Sequence, residues 1–153
     1  MRNLLFICMI FLLCKCTEQG EDREYDYTVA NNSGVTIEII PYYSGIKDIT
    51  NKVIINNTDK INFKHTDRPP YGGSPRMSGV PFSGSPTKFN LTHIEITFNN
   101  SKKIIYQDCT ETNQCSNQPR NIFNQIFSDE QTENYSITPE DYKNAVDCGG
   151  NCN

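Results

Sequence analysis

Three stretches of this chain alternate apolar and polar side chains with a period of two, and each meets an asparagine-rich turn. That arrangement constrains the fold more than any other feature. Tyr25, Tyr27 and Val29 alternate with Asp26 and Thr28, the cluster Asn31-Asn32-Ser33-Gly34 follows, and Val35, Ile37 and Ile39 resume the alternation. Val53-Ile54-Ile55 precedes Asn57-Thr58, after which Ile61 and Phe63 point one way and Lys60, Asn62 and Lys64 the other. Ile94, Ile96 and Phe98 lead into Asn99-Asn100-Ser101, and Lys102 to Tyr106 returns. A period of two is that of a strand with one buried face, and Asn-rich turns between such runs predict three β-hairpins.

The remaining segments fill in around these strands. Pro41-Tyr42-Tyr43-Ser44-Gly45 ends the first hairpin. His65 to Lys88 is rich in Pro and Gly and predicts a long irregular loop, which in a compact domain is functional or disordered. Its Tyr71, Met77, Val80 and Phe82 predict packing, either over an edge of the protein's own sheet or onto a partner. For the second case the contact residues would be Arg68, Tyr71, Arg76, Met77 and Phe82. Arg120 to Phe127 carries apolar residues at helical spacing and predicts a short amphipathic helix. Tyr135-Ser136-Ile137 predicts a last strand. Thr138-Pro139-Glu140-Asp141 is a helix start, with Thr138 as N-cap, Pro139 at the first position and acids in the first turn. That helix is expected to reach about Val146, with Tyr142 and Val146 on one face and Gly149-Gly150 as its stop. The fold class that follows is mainly β: an antiparallel, sandwich-like domain over residues 25–153, with about six or seven strands and one or two short C-terminal helices. Only 36% of the residues are hydrophobic, so the core should be thin; eight Tyr and eight Phe supply its large side chains in the absence of Trp.

The N-terminus is of another kind. Arg2 is followed by the unbroken apolar run Leu4 to Leu13, closed by Cys14-Lys15-Cys16. As a helix this run would extend roughly 15 Å, half of the roughly 30 Å hydrocarbon core, so it has the layout of a cleaved secretory signal peptide rather than of a permanent span. Leu13-Cys14-Lys15-Cys16, followed by the acidic Thr17-Glu18-Gln19-Gly20-Glu21-Asp22, resembles a bacterial lipoprotein signal in the relaxed form of Bacteroidota, with Lys15 where a small residue is usual. The resemblance implies removal of residues 1–15 and a lipid on Cys16. Cys14 suits that role less well, because Leu12 and Leu13 before it are bulky. Residues 16–24 would then be a flexible acidic tether to a membrane of the cell envelope, the outer membrane being favoured, with the domain periplasmic or surface-exposed.

Export agrees with the other cysteines. Cys109, Cys115, Cys148 and Cys152 are an even set suited to two disulfides in an oxidising compartment. Of the three pairings, Cys109 with Cys115 and Cys148 with Cys152 requires the least chain closure. Five residues between Cys109 and Cys115 are too many for a zinc knuckle, so no metal is expected.

Composition narrows function by exclusion. The formal charge is −4, and loss of Arg2 and Lys15 with the leader makes it more negative by two, which disfavours nucleic acid. Only His65 and His93 could act as imidazole bases, no nucleophile-elbow, zinc-protease, phosphate-loop or calcium-loop motif is present, and no cofactor is implied. Asp129-Glu130 and Glu140-Asp141 sit where helix ends attract acids. The sequons at Asn31, Asn56, Asn90, Asn99 and Asn134 read as turn chemistry. The expectation is a non-enzymatic binding or structural module of the envelope, whose partner is an envelope protein or glycan. The alternatives are an inhibitor or immunity-type lipoprotein acting through the Pro/Gly loop, and an enzyme of unrecognised type with a pocket around His65 or perturbed acids.

Overall fold

The structure is a computed structural model, described for residues 20–82, 90–110 and 115–152. The strands are β1 (Arg23–Asn31), β2 (Ile37–Tyr43), β3 (Ile46–Lys47), β4 (Val53–Ile55), β5 (Lys60–Asp67), β6 (Leu91–Phe98), β7 (Lys102–Gln107), β8 (Thr132–Ile137) and β9 (Val146–Asp147), with one α-helix, α1 (Pro139–Asn144). They form two sheets, one ordered β5-β1-β8 and one ordered β3-β2-β6-β7-β9, with β4 also on β2. The fold is mainly β and sandwich-like, as the alternations imply. Tyr27, Val29, Tyr135 and Ile137 of the smaller sheet meet Ile37, Ile39, Ile94, Ile96 and Phe98 of the larger one, all 1% exposed or less. Removing each from water contributes about 1.5–3 kcal/mol, so these few residues hold most of the hydrophobic stabilisation.

Only one of the three expected hairpins forms. β6 and β7 pair around Asn99-Asn100-Ser101 with Ile94 opposite Tyr106 and Ile96 opposite Ile104. β1 and β2 do not pair with each other, and neither do β4 and β5: in both cases the chain crosses from one sheet to the other. A hairpin would lay two apolar faces side by side, and a further layer would be needed to cover them. An arch turns one face onto the other, so the two bury each other. Asn31, fully buried, makes the arches possible. Its amide donates to the carbonyls of Val35 (2.8 Å) and Ile55 (2.9 Å), and its Oδ1 accepts from the Ser33 amide and hydroxyl. Its backbone carbonyl accepts from Thr58 N, and Asn57 Oδ1 accepts from Gly34 N, so the two arches are stitched together.

Four further expectations are corrected. The sheets are not wholly antiparallel: β8 runs parallel to β1, Val29 opposite Tyr135, because the chain reaches β8 by a long crossover from the other sheet. Arg120 to Phe127 is not an amphipathic helix; the side chains of Asn121 and Asn124 accept from the amides of Phe123 and Ile126 and hold turns instead, leaving a 3-10 turn at Gln125–Phe127. α1 has the expected Thr138 N-cap, here part of a capping box with Asp141, but ends at Asn144, since Val146 is drawn into pairing with Lys103, which leaves Val146 exposed. Finally, Arg23 and Glu24 belong to β1, opposite Asp67 and Thr66, so the first strand begins two residues before Tyr25.

Candidate functional site

The segment after β5 behaves as a strap. Asp67, nearly buried, accepts from the amides of Gly72 (2.9 Å) and Gly73 (3.1 Å), and Gly73 takes a left-handed φ of 106° that permits the turn. Met77 and Val80, in the 3-10 turn Met77–Phe82, then plug the open side of the sandwich at 0% and 1% exposure, and Met77 N donates to Ser128 Oγ. The contact residues expected from sequence are therefore divided. Met77 is core, and Phe82 is partly buried against it. Arg68 pairs with Asp22 at 3.3 Å. Tyr71 donates to the Glu21 carbonyl at 2.8 Å under the Arg23 guanidinium, 3.8 Å from its ring centre. Both hold the chain's own N-terminal approach rather than a partner.

Of the five, Phe82 borders a shallow cleft with Tyr43 and Thr50, and Arg76 faces a second one beside the Cys109–Cys115 disulfide. Arg76 is paired with Asp108 at 3.5 Å and keeps 72% of its side-chain exposure. This second cleft, about 310 Å³, is lined by Ser74, Arg76, Asp108, Cys109, Phe123, Gln125 and Ser128. Its far wall is rigid: Cys109 and Cys115 are joined as a disulfide, and buried Asn121 donates to the Gln107 carbonyl and the Gln118 side chain. The lining combines a cation, a carboxylate, the edge of a largely buried ring and neutral hydrogen-bonding groups. Such a set can orient a polar ligand over a small apolar floor. Among the described residues that line the cleft, no nucleophile is paired with a base.

The two histidines lie elsewhere. His65 is exposed on β5, its ring stacked 6.1 Å from Phe63 and 6.3 Å from Tyr25. His93 touches the Tyr42 ring and comes within 3.1 Å of the Thr92 hydroxyl. That hydroxyl is already engaged with the Tyr42 carbonyl and the Gly45 amide, which makes it a tie between strands and not a nucleophile. Beside His65, a small cleft of about 150 Å³ includes Glu24 and Asp26. Asn62 and Lys64 hold the exposed Asp26 carboxyl below its ordinary range, which favours the charged form and makes it a poor base.

Glu95 alternates with Ile94 and Ile96 along β6. Its period-two position assigns it to a wet face, yet it is fully buried, with Lys47 Nζ 2.9 Å from Oε1 and the Tyr42 hydroxyl 2.7 Å from Oε2. Burial first, then donation to Glu95 and its negative charge, push the Tyr42 hydroxyl up to about 12. The cover is the C-terminal segment, closed by the Cys148–Cys152 disulfide. Asn100 binds Gly150 O and Cys152 N, Ser101 O accepts from Cys148 N, and Lys47 Nζ reaches Cys152 O at 3.5 Å. With both carboxylate oxygens bonded and no solvent access, Glu95 is sealed on the outer face of the larger sheet, while the partly exposed Lys47 and Tyr42 close over it. No signal in the local sequence announces it, because the cover arrives from residues more than fifty positions away.

Both disulfides thus follow the local pairing, which fits an oxidising, extracytoplasmic compartment. Cys16 lies outside the described residues. Among the described residues no helix is long and apolar enough to cross a membrane, and no three His, Cys, Asp or Glu side chains gather as metal ligands. No family model, curated protein or solved structure matches the chain.

Proposed function

We propose that this chain is an exported envelope lipoprotein, anchored to a bacterial membrane through lipid on Cys16, that binds a partner without chemistry of its own. The observation that carries the binding role is the cleft of about 310 Å³ built between the strap and the stapled Cys109–Cys115 loop. Its groups suit hydrogen bonding and one charged contact, and they offer no proton relay to a nucleophile. Export is supported by the two local disulfides, and the anchor by the Arg2, Leu4 to Leu13 and Cys16 pattern. An envelope protein or a glycan fits the lining.

Palmitate labelling in a bacterial envelope host tests the anchor: label should enter wild type and Cys14→Ser and vanish in Cys16→Ser. Unlabelled wild type would refute it. A photocrosslinker at Gln125 tests the cleft, and should trap one envelope component that a crosslinker at Asn57 does not. Equal trapping at both positions would remove the cleft from the proposal. The inhibitor reading is favoured by one observation, the outward Arg76 on a rigid strap. In that reading Arg76→Glu abolishes capture of a single protein and leaves thermal unfolding unchanged.

A further inference from the structure

The direction of the strands places one exposed apolar loop beside the point where the chain leaves for Cys16. β1 begins at Arg23 and ends at Asn31, where the arch delivers the chain to the start of β2; β2 then runs back, so its end at Tyr43 returns to the Arg23 end of the sandwich. The strap confirms the closure of this end. Tyr71 near its beginning lies against Glu21, and Pro81 and Phe82 at its finish share a cleft with Tyr43 and Thr50. Gly20 sits so close to Tyr71 that a Cβ there would collide with the phenol. The N-terminal approach is therefore fixed to this end of the domain and not to the arches, which are about 26 Å away at 3.3 Å per strand residue.

The loop after β2 presents Ile46 and Ile49 at 73% and 60% exposure. Its backbone amides are tied to neighbouring strands, and its one carboxylate is tied within the loop. Ser44 N donates to the Asn90 carbonyl, Gly45 N to Thr92 Oγ1 and Asp48 N to the Pro41 carbonyl. The Asp48 carboxylate accepts from Thr50 N, Asn51 N, the Thr50 hydroxyl and the Asn51 amide, and Lys47 is committed to Glu95. A loop held by so many bonds has already lost its conformational freedom, so its two isoleucines can enter an apolar phase at little further ordering cost.

From this placement we infer that the loop around Ile46 and Ile49 docks on the surface of the anchoring membrane and sets the domain's orientation. The inference rests on the lipid anchor proposed above, and the length of chain specifies the occupant. Residues 17–19 separate Cys16 from Gly20, and four Cα steps reach at most about 14 Å. A lipid on Cys16 therefore keeps this end within about half a strand length of the bilayer, where two exposed isoleucines meet lipid before any soluble partner.

The chain lacks Trp, so one introduced Trp reports alone. Ile46→Trp and Val146→Trp replace apolar residues of matching exposure, 73% and 70%, at opposite ends of the sandwich. Each full chain, matured in an envelope host and checked for palmitate, is placed in phosphatidylethanolamine/phosphatidylglycerol vesicles containing brominated lipid. The expected result is a blue shift and quenching for Ile46→Trp, aqueous emission for Val146→Trp, and loss of the quenching when Ile49→Asp is added. Palmitate present with aqueous emission from Ile46→Trp, or equal quenching at both positions, overturns the docking and leaves the anchor standing. Absence of palmitate overturns both, because the short reach from Cys16 disappears with it.

Discussion

The tripeptide Asn-Asn-Ser occurs at residues 31–33 and again at 99–101, and the two copies reverse the chain in different ways. At the second, Asn99 and Asn100 both take left-handed φ, 47° and 52°, and the tight hairpin between β6 and β7 follows. At the first, the left-handed residue is Gly34, at 90°, and Asn31 is swallowed whole by the arch. The comparison teaches that an asparagine-rich turn specifies reversal but not destination. What distinguishes the copies is whether the side chain finds buried carbonyls to satisfy, and those carbonyls belong to Val35 and, twenty-four residues on, Ile55.

The strongest way to break this comparison is Asn31→Ala, which strands the buried Ile55 carbonyl and the Ser33 amide and leaves the Val35 carbonyl to the Ser33 hydroxyl. It should cost about 3 kcal/mol in urea unfolding, from about 1–3 kcal/mol for each unsatisfied buried group. Asn31→Gly should cost as much, whereas Asn99→Gly should be nearly neutral; equal costs at the two sites would show that both asparagines act only through backbone conformation. Next comes the cover that the hairpin turn holds through Asn100. Replacing Cys148 and Cys152 by Ser should cost about 2 kcal/mol for so small a ring, and amide exchange at Glu95 and Ser101 should accelerate. Unchanged exchange would mean that the cover stays closed without its staple.

A smaller effect is expected at the hairpin itself. Asn99→Ala and Asn100→Ala each force a side chain that disfavours left-handed φ into it, costing about 1 kcal/mol by thermal or urea unfolding. The smallest effects are in pH dependence. Burial pushes the Asp141 carboxyl up, but Arg120, the Thr138 amide and the Thr138 hydroxyl outweigh it, and its folded value lies below the ordinary 3.8. A depressed value contributes stability above the ordinary range and loses it as pH falls through the folded value, so stability should decline below about pH 4 and Asp141→Asn should flatten that decline. Tyr42 has the opposite sign. Its value is raised from 10.0 to about 12, so its contribution is complete below pH 10 and lost between there and 12, and Tyr42→Phe should flatten the alkaline limb.

Much of the fold was legible residue by residue. The alternations located β1, β4, β5, β6 and β7 within two or three residues and the start of β2, which runs on through Pro41 to Tyr43, and Thr138-Pro139 marked the start of α1 with its cap. Local cysteine spacing identified both disulfides. Of the candidate site, Arg76 was legible as a loop residue, but the cleft was not, since Asp108, Phe123 and Ser128 reach it from the connection between β7 and β8, more than thirty residues further along the chain. Phe123 was assigned to a helix because its spacing is helical; Asn121 and Asn124 compete for the same amides and win.

By itself, then, the sequence determined the class of structure, the strand segments and the staples, because each depends on side chains within a few positions of one another. The tertiary structure alone decided which turns are arches, that β8 lies parallel to β1, that Met77 is core, and that Glu95 is sealed beneath the C-terminal segment. Those outcomes depend on which apolar faces bury each other and which distant carbonyls a buried amide can reach, and a period of two is the same whichever sheet a strand joins.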